Sequence, residues 1–217
     1  MKGQCMQIVH LVIAIFLVLT TTQTLYANEH YVEIGITQSN ATLEVPSHRA
    51  VLGNTIDIEG STPLTLVRAS AGIIFNPYFA IEGMLATGLA EEDVISGPAT
   101  DTNGAIINYD VTMQTTLFAV TYAIFQYPIL ENLNIQAKAG YGYVNYYSSL
   151  EYNITGVQND FIEGNDDGSG VAYGLGLNYG FDQHGISFYY DVLPTLNFEA
   201  NDKVKTTGIG LAYRYTF

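Results

Sequence analysis

The chain contains one cysteine, Cys5, no tryptophan and only six prolines in 217 residues. A single thiol excludes a disulfide framework within the chain, and with it the paired-cysteine metal sites. Cys5 also precedes the apolar run near the start instead of closing it, so it does not stand where a lipid-bearing cysteine would. Charge is scarce: Asp, Glu, Lys and Arg make up 13% of the residues, against about 25% in an average soluble domain. What charge there is leans one way, with seven basic residues against 21 acidic ones. That balance excludes nucleic-acid binding through a basic face. Also lacking are an apolar run of the about 20 residues that a membrane-crossing helix needs and, past Ala27, any convincing stretch of helical period.

The longest apolar run is "IVHLVIAIFLVL", Ile8 to Leu19. It follows Lys2 and leads into polar "TTTQTLYA", which ends on small Ala27 before acidic "NEH". A charged start, a short apolar centre and a small residue at the exit make residues 1–27 a secretory signal peptide, leaving 28–217 as one domain. Removing the leader takes Lys2 and Cys5 and no acid. An exported chain without cysteine suits a bacterial envelope.

What is present is alternation. "VAYGLGLNYGF" places Val171, Tyr173, Leu175, Leu177, Tyr179 and Phe181 on one face and Ala172, Gly174, Gly176, Asn178 and Gly180 on the other. The ending "VKTTGIGLAYRYTF" repeats the pattern, with Ile209, Leu211, Tyr213 and Tyr215 against Gly208, Gly210, Ala212 and Arg214. A period of two means extended strands. Six further runs read the same way: "YVEIGITQ", "LTLVRASAGIIF", "FAIEGMLATGL", "YDVTMQTTLFAVTYAIF", "LNIQAKAGYGYVNYY" and "ISFYYDVLPTL". In the fourth, Asp110, Thr112 and Gln114 share a frame with Phe118, Val120 and Tyr122, so a bulge or frame slip is expected within 109–125.

Short joints ("NP", "QYPILEN", "DQHG") alternate with long polar ones near 41–62, 90–108 and 151–169, and a shorter polar joint spans 197–203. Antiparallel neighbours put every second joint at the same end. Eight strands of about ten residues with long loops at one end fit an eight-stranded antiparallel up-and-down transmembrane β-barrel, an all-β fold. The polar face decides between this and a soluble barrel. It is mostly Gly, Ala, Ser and Thr with about one charge per strand, whereas a solvated surface carries about 25–35% charged residues. The greasy face therefore meets lipid and the small-residue face is enclosed, with closure removing the unpaired edges that hydrocarbon does not tolerate.

Three cations, Arg68, Lys138 and Arg214, fall on the inward frame of different strands, and so do the acids Glu33, Glu82 and Asp191, with Asp110 a further candidate. Two readings of these seven stand: a paired polar network plugging the lumen, or separate groups hydrated by lumen water. Tyr141, Tyr143, Tyr173, Tyr179, Tyr213 and Tyr215 fall on the outward frame, several near strand ends, where an amphipathic ring sits at headgroup level.

"GIGLAYRYTF", "GVAYGLGLNYGF", "AKAGYGYV" and the leader resemble the small outer-membrane β-barrel domain family, which includes opacity-type, OmpX-like and OmpA-like transmembrane barrels. The resemblance covers about residues 28–217. It implies the bacterial outer membrane as location, and lipid, lipopolysaccharide and the barrel assembly machinery as partners. It also implies a C-terminal assembly signal at Tyr213, Tyr215 and Phe217. Unlike OmpA-like proteins, no peptidoglycan-binding domain follows the barrel, so no cell-wall tether is expected.

The function so implied is a monomeric structural or surface-interacting protein of adhesin or opacity type, with any host or surface ligand at the loops. A small passive porin-like channel is the alternative, and a lipid-modifying envelope enzyme ranks below both. The mature histidines, His30, His48 and His184, lie in no recognisable hydrolase motif, although Ser187 follows His184 closely. The acidic runs around Glu91, Glu92 and Asp93, and around Glu163, Asp166 and Asp167, lack the spacing of a calcium loop. No catalytic residue, metal or cofactor is expected.

Overall fold

The structure is a computed structural model that describes residues 29–45, 50–51, 54–55, 58–100, 106–154, 160–197 and 203–217; within these, side chains are described except over 43–60, 94–111 and 150–163. The strands are β1 (Glu29–Val45), β2 (Ala50–Val51), β3 (Asn54–Thr55), β4 (Ile58–Asn76), β5 (Phe79–Gly88) and β6 (Glu92–Thr100). They continue as β7 (Ile106–Leu130), β8 (Leu133–Ile154), β9 (Asp160–Phe181), β10 (His184–Val192), β11 (Leu196–Asn197) and β12 (Lys203–Thr216). Eight of them form an antiparallel sheet in the order β1-β4-β5-β7-β8-β9-β10-β12, and β12 pairs back onto β1. The sheet is thus a closed eight-stranded barrel with no free long edge around its wall. β6 pairs with the start of β7, β11 with β12, and β2 with β3.

Three two-residue turns join strands at one end. In the first, the Tyr78 N–H donates to Asn76 Oδ1 at 2.8 Å, a side-chain turn that asparagine favours. In the third, Asp182 sits at φ 54°, the left-handed region that Asp tolerates better than most residues. At the other end the strands outrun what a bilayer needs. A crossing takes about 9–11 residues, which β5 (10 residues) and β10 (9) match, while β7, β8 and β9 have 25, 22 and 22.

The greasy face is outside. Leu175 is 60% exposed and Leu211 51%, and Leu177, Tyr173, Tyr179 and Tyr213 are exposed beside them. Their neighbours in sequence, Ala172, Asn178, Ala212 and Arg214, are buried in the lumen.

Three features bear on the sequence reading. The interior is not filled by small and polar residues alone. Toward the loop end Leu64, Leu66, Met84, Phe118, Val120, Val144, Tyr146 and Val204 pack into an apolar cluster, joined by Leu193 and Leu196 of the "LPTL" segment after β10. The Phe118 and Tyr146 rings meet edge to face at 5.6 Å.

Second, the bulge expected within 109–125 is present: in β7 the register against β8 shifts between Thr115 and Leu117. Phe118, Val120 and Tyr122 are buried after the shift, but before it Met113 and Thr115 point in, while Thr112 and Gln114, expected on the inward frame, are half-buried. One extra residue on one strand reverses its faces. Asp110 pairs with Glu151 in the β7–β8 ladder, and its side chain lies outside the described part.

Third, much of what reads as loop is strand: β1 runs to Val45, β6 occupies Glu92–Thr100, β8 runs to Ile154, and β9 starts at Asp160. Above the bilayer neither face must be apolar, so these stretches lack the alternation by which strands are recognised.

Candidate functional site

The barrel encloses a layer of charge at mid-height. Arg68 comes from β4, Glu82 from β5, Lys138 from β8 and Asp191 from β10, each at an inward position where glycine or alanine on neighbouring strands leaves room. Arg68 Nη1 donates to Asp191 Oδ2 at 2.9 Å, and its Nη2 donates to Glu82 Oε1 at 3.2 Å. Lys138 Nζ donates to the same Glu82 oxygen at 3.2 Å, and the Tyr31 hydroxyl donates to Glu82 Oε2 at 2.8 Å. Arg68 is 1% exposed and Glu82 is fully buried.

Next to it, toward the short-turn end, Glu33 of β1 accepts from Arg214 Nε at 2.7 Å, Ser187 Oγ at 2.6 Å and Ser70 Oγ at 3.3 Å. Six of the seven residues singled out from sequence thus converge, and three cations meet three carboxylates. A charge taken out of water needs a partner and further hydrogen bonds. Here each carboxylate has a cation within hydrogen-bond distance, and Glu33 and Glu82 have hydroxyl donors as well.

Two tyrosines complete the layer. The Arg68 guanidinium lies 3.9 Å from the Tyr189 ring centroid, and Arg214 lies at the same distance over Tyr31. These cation–π contacts strengthen when both partners are desolvated. The rings lie flat because the strands beneath carry glycine: a Cβ on Gly210 would overlap the Tyr189 ring, and one on Gly72 would overlap Tyr31. The sparse inward face is what admits large interior side chains.

Gly210→Val therefore lowers stability by about 1–3 kcal/mol through overpacking, although valine favours strands. At Gly83, where an added Cβ meets nothing within 4 Å, the same change costs nothing comparable. Urea unfolding of the two variants in detergent, side by side, measures the difference.

Below this layer the lumen opens at the short-turn end into a cavity of 550 Å³ whose wall includes Gln126, Asn134, Asn178 and Arg214. Above it sits the apolar cluster. A charge-balanced polar layer and an apolar one are therefore stacked across the bore.

Such a barrel, apolar outside and packed with paired charge inside, is matched along residues 12–217 by the family model described as "Outer membrane protein beta-barrel domain". The chain belongs to that family. Its place is therefore the bacterial outer membrane.

No curated protein matches the chain. Solved structures similar to this member of the family include Ail, the attachment invasion locus protein of Yersinia pestis, at 17% identity, with 88% of this chain and 100% of that one covered and a TM-score of 0.42. Neisserial surface protein A is similar at 14% identity over 87% and 97% of the two chains, TM-score 0.46. The outer membrane protein OprG from Pseudomonas aeruginosa is similar at 12% identity over 87% and 96%, TM-score 0.47.

Where β1 and β12 meet at the short-turn end of the barrel, the C-terminal aromatics form part of a ladder on the wall. The Phe217 N–H donates to the His30 carbonyl at 2.9 Å, and the two rings stack at 6.5 Å. Tyr215 bridges Phe217, at 5.8 Å, and His184, at 5.6 Å, and Tyr213 is bonded to His184 Nδ1. His184 and Ser187 thus part company: the imidazole is exposed among these rings, while Ser187 is buried and donates to Glu33. His48 lies outside the described residues. The sequence reading missed Tyr31 as a lumen residue. Its signal was available, since Tyr31 shares the inward frame of Glu33, Gly35 and Thr37.

Proposed function

We propose that the protein is a non-conducting outer-membrane barrel of structural and surface-interacting role, exported through the leader at 1–27 and offering its long-loop end outside the cell. The observation that carries this reading is the filled bore. Glu33, Arg68, Glu82, Lys138, Asp191 and Arg214 act as a polar plug, and the cluster around Leu64, Phe118 and Tyr146 as an apolar one. An ion passing through would have to break paired charges and then cross a dry layer, each of which opposes conduction. Reconstituted in planar bilayers, the protein gives no steady conductance steps; discrete steps from the pure protein would favour a channel instead.

The aromatic end at Tyr213, Tyr215 and Phe217 serves as the signal for the assembly machinery. The partner offered by the surface follows from charge. One structure of Ail holds the heparin analogue sucrose octasulfate, a polyanion, but this chain carries 21 acidic residues and seven basic ones. Three basic and three acidic residues are enclosed in the lumen, so the acidic excess belongs to the rest of the chain. Its surface therefore suits a cationic partner better than a sulfated one. The described His184 and Ser187 do not form a catalytic pair, since they lie on opposite sides of the wall.

A further inference from the structure

Closing the barrel raises a question of register that the other joints answer differently. At β4–β5, β7–β8 and β9–β10 a two-residue turn fixes which residues face each other. No turn links β1 to β12, so their registration rests on side chains alone. The lipid and lumen faces forbid a slip of one residue, which would invert every side chain, but not a slip of two.

Outward, Ile34, Ile36, Ile209, Leu211 and Tyr213 are all apolar. Inward, Gly35 faces Ala212, Thr37 faces Gly210, and Ser39 faces Gly208, pairs of small residues with little to tell one register from the next. Among the inward pairs Glu33 and Arg214 stand apart, with the His30–Phe217 stack on the wall beside them at the short-turn end. They are direct cross-strand partners, bonded at 2.7 Å and buried. A shift of two would set Glu33 against Ala212 or Thr216 and leave Arg214 opposite Gly35 or Tyr31.

We propose that the Glu33–Arg214 pair is a register lock that makes the first and last strands accept one alignment when the barrel closes. Its reach extends past the seam, because Glu33 also takes Ser70 of β4 and Ser187 of β10, so a misaligned β1 breaks contacts on both flanks. A buried polar pair that fixes register is the best-attested use of such groups.

Disulfide trapping in outer membranes reads the register directly. In a full-length Cys5→Ser background, Ile36→Cys is combined with Leu211→Cys, its present partner, or with Ile209→Cys or Tyr213→Cys, which face it only after a two-residue slip. Diagonal neighbours lie about 7–8 Å apart, beyond the reach of a disulfide, so with Glu33 and Arg214 in place only the first combination bridges. In a Glu33→Gln, Arg214→Gln protein the slipped bridges rise by at least roughly tenfold, the ratio that one or two kcal/mol controls. In the charge-reversed Glu33→Arg, Arg214→Glu protein the Ile36–Leu211 bridge again dominates.

Native-only bridging in the neutral protein overturns the proposal, and so does slipped bridging in the reversed one. If the neutral protein yields no heat-modifiable band, a folded band from the reversed one supports the lock; absence of a band from both overturns it.

Discussion

Glu82→Ala lowers the unfolding free energy by about 3–5 kcal/mol, the cost of removing one partner from a buried ion pair. The size follows from how many groups lean on this carboxylate. One oxygen holds both Arg68 and Lys138, each at 3.2 Å, and the other holds the Tyr31 hydroxyl at 2.8 Å. Without it two cations, on β4 and β8, share the lumen with Asp191 as the single acid of that layer. The alanine also leaves a void that neighbouring glycines cannot fill.

A second variant separates charge from space. Glu82→Gln combined with Lys138→Met removes one charge of each sign at similar volume, and recovers most of the loss, because buried pairs replaced together cost little. Urea titration in detergent or lipid vesicles, with the heat-sensitive shift in gel mobility marking the folded form, gives both values. A double variant as unstable as Glu82→Ala would show that the carboxylate matters for something other than balance.

Leu211→Arg is the second large effect, about 2–4 kcal/mol if read at the bilayer midplane. Leu211 faces outward between Ile36 of β1 and Phe188 of β10 and is half exposed. On a soluble protein an exposed leucine becoming arginine changes stability within about 0.5 kcal/mol either way. The same strand provides the depth scale. Lys203 and Lys205, on the outward face nearer the loops, are exposed already, while Ile209, Leu211 and Tyr213 continue that face into the apolar band. Arginine placed at Thr207, between the two zones, costs less than at Leu211. Equal costs at both depths in lipid vesicles would contradict a lipid-facing wall.

How much of this was legible in the sequence depended on what each residue had to satisfy. In β9 and β12 one face meets hydrocarbon and the other is crowded, so Val171 to Phe181 and Ile209 to Tyr215 alternate without exception. Charges among glycines announce themselves, and Arg68, Glu82, Lys138, Asp191, Arg214 and Glu33 were readable for that reason. Their pairing was not, because Arg68 and Asp191 are 123 residues apart and meet only after the sheet has curled.

The apolar layer was hidden by its composition. Leu64, Leu66, Phe118 and Val120 are as greasy as the outer wall, so their chemistry does not mark them as inward and only a shared frame, that of Arg68 for Leu64 and Leu66, does. The bulge near Thr116 was readable as a slip of frame within 109–125, but the inward side before it was not, since a polar run, Asp110 to Gln114, sits above the bilayer where either face is tolerated. The nesting of Tyr189 over Gly210 depends on distances across strands that spacing along one strand does not encode.

The unequal strands have one more consequence. β10 ends at Val192 opposite Tyr173 of β9, while β9 continues away from the bilayer to Asp160 with β8 alongside it. Thirteen residues at about 3.3 Å each raise that flank by tens of ångströms above the end of β10. Beyond β12 the rim climbs again, because β1 and β4 stay paired out to Val45 and Ile58. A visitor arriving from outside therefore meets a crenellated wall whose lowest step is at β10.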